Sequence, residues 1–468
     1  MGTAVSELQT FSLLGVTARR HCSARAGASS YGLRTTHVRH ASLDSFRSRN
    51  TVLGLFSCVI ATFAVMTFDM NLPAPGAKKT IAVLGASYAG HRAIQVLVAS
   101  LPEDWRVVVL ERNTHANHLY AFPRMSVVRG HEQKVFIPYT NMFKPALALR
   151  DQHQLLHANV LELDQQNRRV SYELINDKAA GVQWLQWDYL VYALGSHLPD
   201  PINVWSSSGE QGSRQHDGSK IMGVQWLRDA QDRIEKAESI VIIGGGALGV
   251  QLATDIAVTY GRSKRVTLTH SRAQLLPRFD PWMHEKAAAR LSELGVELVL
   301  RSRVDLGSLS SDRRSFRLLD GRQLEGDLTL FCLGQTPNTL LLGESSLSES
   351  GMARVERTLQ LSSNPRVFVI GDAADAFGAI NAGHTAWDQA EVAAKNILTL
   401  ISTKQGQEAA ELQEYKPTPP AIKVSLGIDR AIRQTMGGEL IEVDSGVIDL
   451  NSTSMWTRRG LGTDDLWL

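Results

Sequence analysis

The chain has 468 residues, 43% of them hydrophobic and 21% charged, which suits a globular protein of about three domains. Its three cysteines, Cys22, Cys58 and Cys332, lie far apart with no Cys-x-x-Cys or Cys/His ligand spacing, which argues against a disulfide framework or a zinc site, so no metal is expected. Residues 1–50 hold seven arginines and two acids while the remainder holds 42 basic and 45 acidic residues, so the body has no basic excess for nucleic acid.

Residues 1–76 read as a leader. The first fifty are rich in arginine and serine and poor in acids, as mitochondrial presequences are, although a plain disordered tail has the same composition. Residues 51–68 form an uncharged run of 18, just short of the ~20 that span a bilayer, and are a candidate membrane anchor. Presequence plus anchor places the protein at a mitochondrial membrane. The opening MGTAVS also fits N-myristoylation of Gly2, with Ser6, and a lipid anchor is the alternative to a cleaved presequence. A start at Met66 or Met70 gives a cytoplasmic protein instead.

Residues 80–84 (TIAVL) are an apolar run that suits a buried parallel strand. The turn Gly85-Ala-Ser87-Tyr-Ala-Gly90 follows, then helical spacing over 89–101, then a second buried strand, 106–110 (RVVVL), ending at Glu111. The plan recurs downstream. Strand 240–243 runs into Gly244, Gly246 and Gly249, a helix over 250–260 and a strand over 265–269, and His270 stands where the first copy has Glu111, 26 residues after the first glycine in both. In such a turn the first glycine makes a tight bend. The second lets backbone approach a pyrophosphate, and the third packs helix against strand with the helix N-terminus facing the phosphates. Serine at the middle place weakens the first pattern without removing its chemistry, because a hydroxyl donates to a phosphate oxygen.

Further parts repeat. Residues 189–196 (YLVYALGS) and 328–335 (LTLFCLGQ) are apolar strands ending in Leu-Gly. Each follows a hairpin-like pair, 169–173 with 184–187 and 315–319 with 323–325. Residues 367–370 are a third buried strand, ending at Gly371-Asp372, and an amphipathic helix spans 383–401. The polar stretch 206–220 reads as an exposed insertion and 405–420 as a linker. Residues 422–426 and 440–448 read as strands, and the stretch after Asn451 as disordered.

Together GASYAG with Glu111, VYALGS, GGGALG, FCLGQTPN, VFVIGDAAD and HTAWDQAEVAAKNI resemble the pyridine nucleotide-disulfide oxidoreductase superfamily over residues 78–440. The likeness is to its apoptosis-inducing-factor-like, ferroptosis-suppressor-protein-like branch. The resemblance implies an α/β fold with two Rossmann-like dinucleotide-binding domains and a small C-terminal α+β region. The FAD-binding domain is split (77–215 and 336–404) around an inserted NAD(P)H-binding domain (216–335), and 405–468 form the C-terminal region, which the resemblance packs near the flavin. It implies that Gly85, Ser87 and Gly90 line the FAD pyrophosphate, Glu111 binds the adenosine ribose, Val160 touches the adenine, and Gly195, Gly371 and Asp372 approach the flavin and its ribityl chain. Gly244, Gly246 and Gly249 bind the NADPH or NADH pyrophosphate, and Gly334 with Pro337 closes the nicotinamide domain.

The sequence departs from the family pattern in three ways. Leu194 and Leu333 stand where threonine precedes glycine, and Gln251 replaces an acid often seen near the nicotinamide. No Cys-x-x-x-x-Cys follows the first turn, so dithiol exchange is excluded. His270-Ser271-Arg272 replaces the acid that repels a 2′-phosphate, which favours NADPH. Tyr120, Phe122, Arg124, His384 and Trp387 are candidates for the flavin face, with packing as the plainer reading, and no catalytic acid or base is assigned. The expected activity is hydride transfer from NAD(P)H to FAD and onward to a quinone-like or small-molecule acceptor, by a monomer or homodimer. A metabolite-tailoring flavoenzyme and an NAD(P)H-responsive redox sensor are the alternatives.

Overall fold

A computed structural model describes residues 78–206, 216–403, 411–444 and 446–468. The leader expectations (presequence, anchor 51–68, Gly2) lie outside the described residues, as do the middle of the polar insertion and the start of the linker.

The first unit begins with β1 (Lys79–Leu84), α1 (Tyr88–Val98) and β2 (Trp105–Glu111). Every residue of β1 after Lys79 is buried, so both faces are covered, as in a parallel sheet with helices on its faces. Then come β3 (Gln154–Asp164), the hairpin β4 (Arg169–Leu174) with β5 (Val182–Gln186), and β6 (Tyr189–Tyr192). The second unit holds α2 (Lys220–Lys236), β7 (Ser239–Ile243), α3 (Ala247–Tyr260), β8 (Arg265–Thr269), α4 (Pro281–Glu293), β9 (Glu297–Val299) and β10 (Leu328–Phe331). The chain then returns through β11 (Gln360–Leu361) and β12 (Asn364–Val369) to the first sheet and ends its last crossing with α5 (Gly383–Ser402).

The first sheet has the order β11-β12-β6-β1-β2-β3-β4-β5 and the second β9-β8-β7-β10. The run β6-β1-β2-β3 thus recurs as β10-β7-β8-β9, all parallel, and the fold is α/β with two Rossmann-like units. Each has its own core. One gathers Ile81, Leu84, Ile94, Leu97, Tyr192 and Phe368, and the other Ile242, Leu252, Ile256, Leu268 and Leu291. Burying each such side chain contributes about 1.5–3 kcal/mol before chain entropy is counted. The units are stitched where the Leu-Gly ends meet: Ser196 pairs with Pro337 and His197 with Thr336, antiparallel. The Tyr192 hydroxyl donates to the Asn338 carbonyl at 2.6 Å, and the Asn338 amide donates to the Gly195 carbonyl at 2.9 Å.

The C-terminal strands β13 (Ile422–Ser425), β14 (Arg430–Gln434) and β15 (Leu440–Asp444) form an antiparallel sheet, and Val424, Leu426 and Ile432 join the second unit's core. Arg290 fastens it there, donating to the Leu426 carbonyl and pairing with Asp429 at 2.9 Å. The stretch after Asn451 is ordered, not disordered. It forms α6 (Ser454–Arg458), whose Trp456 is fully buried and donates to the Lys134 carbonyl at 2.9 Å. A five-residue helix shows no period in sequence, and tertiary burial of one indole decides it. The end of the polar insertion is not exposed either: Lys220 is buried, and the Gly218 carbonyl accepts the Thr114 amide at 2.9 Å.

Candidate functional site

The two glycine turns share one construction. Gly85 and Gly244 sit at φ +87° and +122°, which only glycine adopts freely, and a side chain on either would strike the backbone just past β6 or β10, at Ala193 or Cys332. A side chain on Gly90 or Gly249 would strike the carbonyl of that first glycine. The middle places differ. Gly246 has nothing within 4 Å, so the space there is left open by the protein, while Ser87 makes no capping hydrogen bond and keeps its hydroxyl free of the helix. Neither α1 nor α3 has a side-chain cap or an acid in its first turn, so both present bare amides and a positive helix end, as an anionic diphosphate requires.

The next contact separates them. The Ala86 amide donates to Glu111 Oε2 at 2.7 Å, and Oε1 accepts the Asn113 amide at 2.9 Å and its Nδ2 at 2.8 Å. In the second turn the Gly245 amide donates to His270 Nδ1 at 3.1 Å. That bond places the proton on Nε2, which is buried and unpartnered. Burial holds the His270 ring below the ordinary histidine value, with Arg272 adding to the effect, so the ring is neutral. Arg272 is exposed, and its carbonyl accepts the amide of Arg301, a residue in the left-handed region at φ +56°.

Asp372 follows Gly371 (φ +73°), whose amide donates to Gln389 Oε1 at 2.7 Å. Burial pushes the Asp372 carboxyl up, and Ser196 Oγ donates to it at 3.0 Å. Gly195 (φ +62°) has open space beside it. Tyr88, His118 and Tyr120 form an aromatic group between the first turn and the start of α5: Tyr88 Oη lies 2.9 Å from His118 Nδ1, and the Tyr120 ring is 5.2 Å from that of Tyr88 and abuts Gly383. Val160 lies in β3, opposite Tyr172 and beside a bulge. Gly334 is exposed and lines a cavity of about 320 Å³ with His197, Asp200, Arg313 and Phe331.

Several candidates lie elsewhere. Arg124 does not face a ligand. It is fully buried, pairs with the fully buried Asp255 of α3 at 2.9 Å, and donates to the carbonyls of Gly427 and Ile448. Burial pushes the Asp255 carboxyl up despite the guanidinium. Phe122 is core. Gln251 donates to Ser425 of β13 at 3.2 Å, so it joins α3 to the C-terminal sheet. The Trp387 ring lies under Arg92, 5.8 Å away. Asn113, Arg301 and Ser196 are the additions that the sequence did not single out, since each is defined by a contact rather than a motif.

A family model described as pyridine nucleotide-disulphide oxidoreductase matches residues 79–395. The chain is 83% identical over 402 residues to "Fe-regulated protein 8" of Mycosarcoma maydis, covering 86% of this chain and all of that one. It is 28% identical to ferroptosis suppressor protein 1 of Mus musculus, covering 76% of this chain and 88% of that one. Among solved structures it resembles reduced CoADR-RHD of Bacillus anthracis with TM-score 0.60 at 18% identity, over 76% of this chain and 61% of that one, less than two thirds of its length. By that match and those turns, the chain belongs to the pyridine nucleotide-disulphide oxidoreductase family, NAD(P)H-dependent oxidoreductases that use FAD.

Proposed function

We propose that the chain passes electrons from NADPH or NADH, through FAD, to a quinone-type acceptor. The observation that carries this reading is the presence of two turns of one geometry in one chain, stitched together at the ends of β6 and β10. In this reading the first turn, Gly85, Ser87 and Gly90, holds the FAD diphosphate. Glu111, steadied by Asn113, accepts the ribose hydroxyls, Val160 borders the adenine, and Gly195, Gly371 and Asp372 border the ribityl chain. Gly244, Gly246 and Gly249 hold the nicotinamide nucleotide's diphosphate, and Gly334 borders its nicotinamide. His270 donates from Nε2 without adding charge, and Arg272 with Arg301 offers cations to a 2′-phosphate, which favours NADPH.

Bound FAD supplies the two-electron chemistry, and the protein orients the partners. Among the described residues no thiol pair relays electrons: Cys332, the single cysteine there, is buried, and burial pushes its thiol up. Electrons therefore leave to an external acceptor. Tyr120, half exposed beside the start of α5, gives an aromatic rim suited to a planar ring. The proposal extends to location: residues 1–68, presequence-like and then apolar, hold the enzyme at a mitochondrial membrane, where lipophilic quinones partition. Among the described residues no helix is long and apolar enough to cross a membrane.

The test is oxidation of NADPH and NADH by the purified, flavin-loaded protein with and without a short-chain ubiquinone analogue. Fast turnover that needs the quinone supports the reading. Slow oxidation unchanged by quinone overturns it.

A further inference from the structure

The segment 449–468 leaves the second unit and straps itself across the first. Lys134 pairs with Asp449 at 2.7 Å, Trp456 donates to the Lys134 carbonyl, and Asn141 Nδ2 donates to the Gly460 carbonyl at 2.5 Å, while Lys220 Nζ of α2, in the second unit, donates to the Leu466 carbonyl at 2.7 Å. Met455 and Trp456 join the first unit's core, which also holds Tyr139 and Met142. The residue that follows α6 is Arg459. It is 6% exposed, and its Nε and Nη1 are buried without a hydrogen-bond partner.

The groups around this guanidinium locate it. Its charge acts on Tyr88, the first residue of α1 after the glycine turn, on Tyr139 and on Glu111, and it helps to hold His91 and His118 neutral. Tyrosines and neutral histidines do not compensate a cation. The one anion in the group, Glu111, hydrogen-bonds to Ala86 and Asn113 and makes no ion pair with Arg459. A buried, unpaired arginine is costly, and the cost is removed by an anion with acceptor oxygens at that place.

We propose that Arg459 is a ligand of the FAD diphosphate, carried to the first glycine turn by the 449–468 strap. The inference rests on the assignment of FAD to that turn. The diphosphate takes the bare amides of α1 from one side and the forked guanidinium from the other, so cofactor retention depends on the far end of the chain.

The test uses the full-length, flavin-loaded protein and two readouts: the FAD dissociation constant, from flavin fluorescence on dilution, and the ³¹P resonances of the bound FAD diphosphate. Losing a charge-assisted contact, Arg459→Met weakens FAD binding roughly 10- to 100-fold and shifts the ³¹P signals. Arg459→Lys, which keeps the charge and loses the fork, recovers part of the affinity and still shifts them. Arg458→Met, at the exposed neighbour, changes neither. Unchanged ³¹P signals in Arg459→Lys overturn the inference, even if Arg459→Met fails to fold. Glu111→Gln separates the two readings. If it loosens FAD while Arg459→Met does not, the strap inference alone fails, and if neither loosens FAD, the site assignment fails with it.

Discussion

In the first unit the amide after the leading glycine donates to a carboxylate, Glu111, and in the second the matching amide donates to an imidazole, His270. Around that difference the two turns diverge. Glu111 is buried and tied on both oxygens. His270 keeps a free donor, and its neighbours Arg272 and Arg301 are exposed. One backbone device is thus finished in two ways, closed and open. On the proposed assignment that is what the ligands need, since FAD stays and the nicotinamide nucleotide comes and goes.

The largest effect comes from breaking the fastening between the units. Asp255 stands eleven residues after Gly244, and the matching place in α1 is Val96, so the ion pair with Arg124 belongs to the second helix alone. Asp255→Asn leaves Arg124 buried without a counter-charge and costs about 3–5 kcal/mol of unfolding free energy, read by denaturant titration. The double variant Arg124→Met/Asp255→Leu recovers most of that. If Asp255→Asn melts like the wild type, the pair is not the fastening.

Next, Glu111→Ala combined with Asp372→Ala yields colourless protein, because loss of the Glu111 contacts alone weakens FAD by more than about 100-fold. His270→Ala stays yellow, and its effect falls on the KM for the nicotinamide nucleotide. Absorbance at the flavin band relative to protein reports both. A yellow Glu111/Asp372 double variant removes the first turn from the FAD site.

These positions were legible because the physics is local. Glycine spacing, an apolar strand and the residue at its end lie within one thirty-residue unit, so the turns, both hairpins and α5 were read close to where they lie. What was not legible depends on distance along the chain. Arg124 sits on a four-residue helix and finds its carbonyl partners 303 and 324 residues away. Gln251, which stands in place of an acid often seen in the family, finds its partner Ser425 on β13, 174 residues away. The 449–468 strap has no periodicity, and only the core that receives Trp456 reveals it.

Acid sharpens the comparison further. Burial lowers His91 to about 2 and His118 to about 4, both beside the first turn, so the folded unit keeps them neutral. Below the ordinary histidine value the unfolded chain gains protons that the folded one refuses, so stability falls with pH, by up to about 1.4 kcal/mol per histidine per pH unit. For His118 the loss runs down to about 4, where the folded ring protonates too. His118→Gln flattens part of the slope of unfolding free energy against pH, and an unchanged slope means that other groups set the acid limit. A smaller effect is expected at the open turn: Arg272→Ala raises the KM for NADPH about 10-fold and leaves NADH within two-fold, as loss of one exposed charge-assisted contact allows. Equal changes for both nucleotides remove Arg272 from the 2′-phosphate site.

The finest distinction is the middle place of each turn. Ser87 and Gly246 have φ −72° and −78°, so neither backbone requires glycine, and Gly246 has no protein atom within reach of a new side chain. Any demand for glycine there comes from the ligand. Gly246→Ser should leave thermal stability within about 0.5 kcal/mol of wild type while raising the nicotinamide nucleotide's KM a few-fold. Ser87→Gly should leave FAD retention nearly unchanged if serine is only a tolerated small residue. If Ser87→Gly instead loosens FAD about 10-fold, a loss of roughly 1.4 kcal/mol, the hydroxyl is a phosphate ligand in its own right. The first turn would then have exchanged an open cradle for a hydrogen bond, in keeping with a site built to keep what it holds.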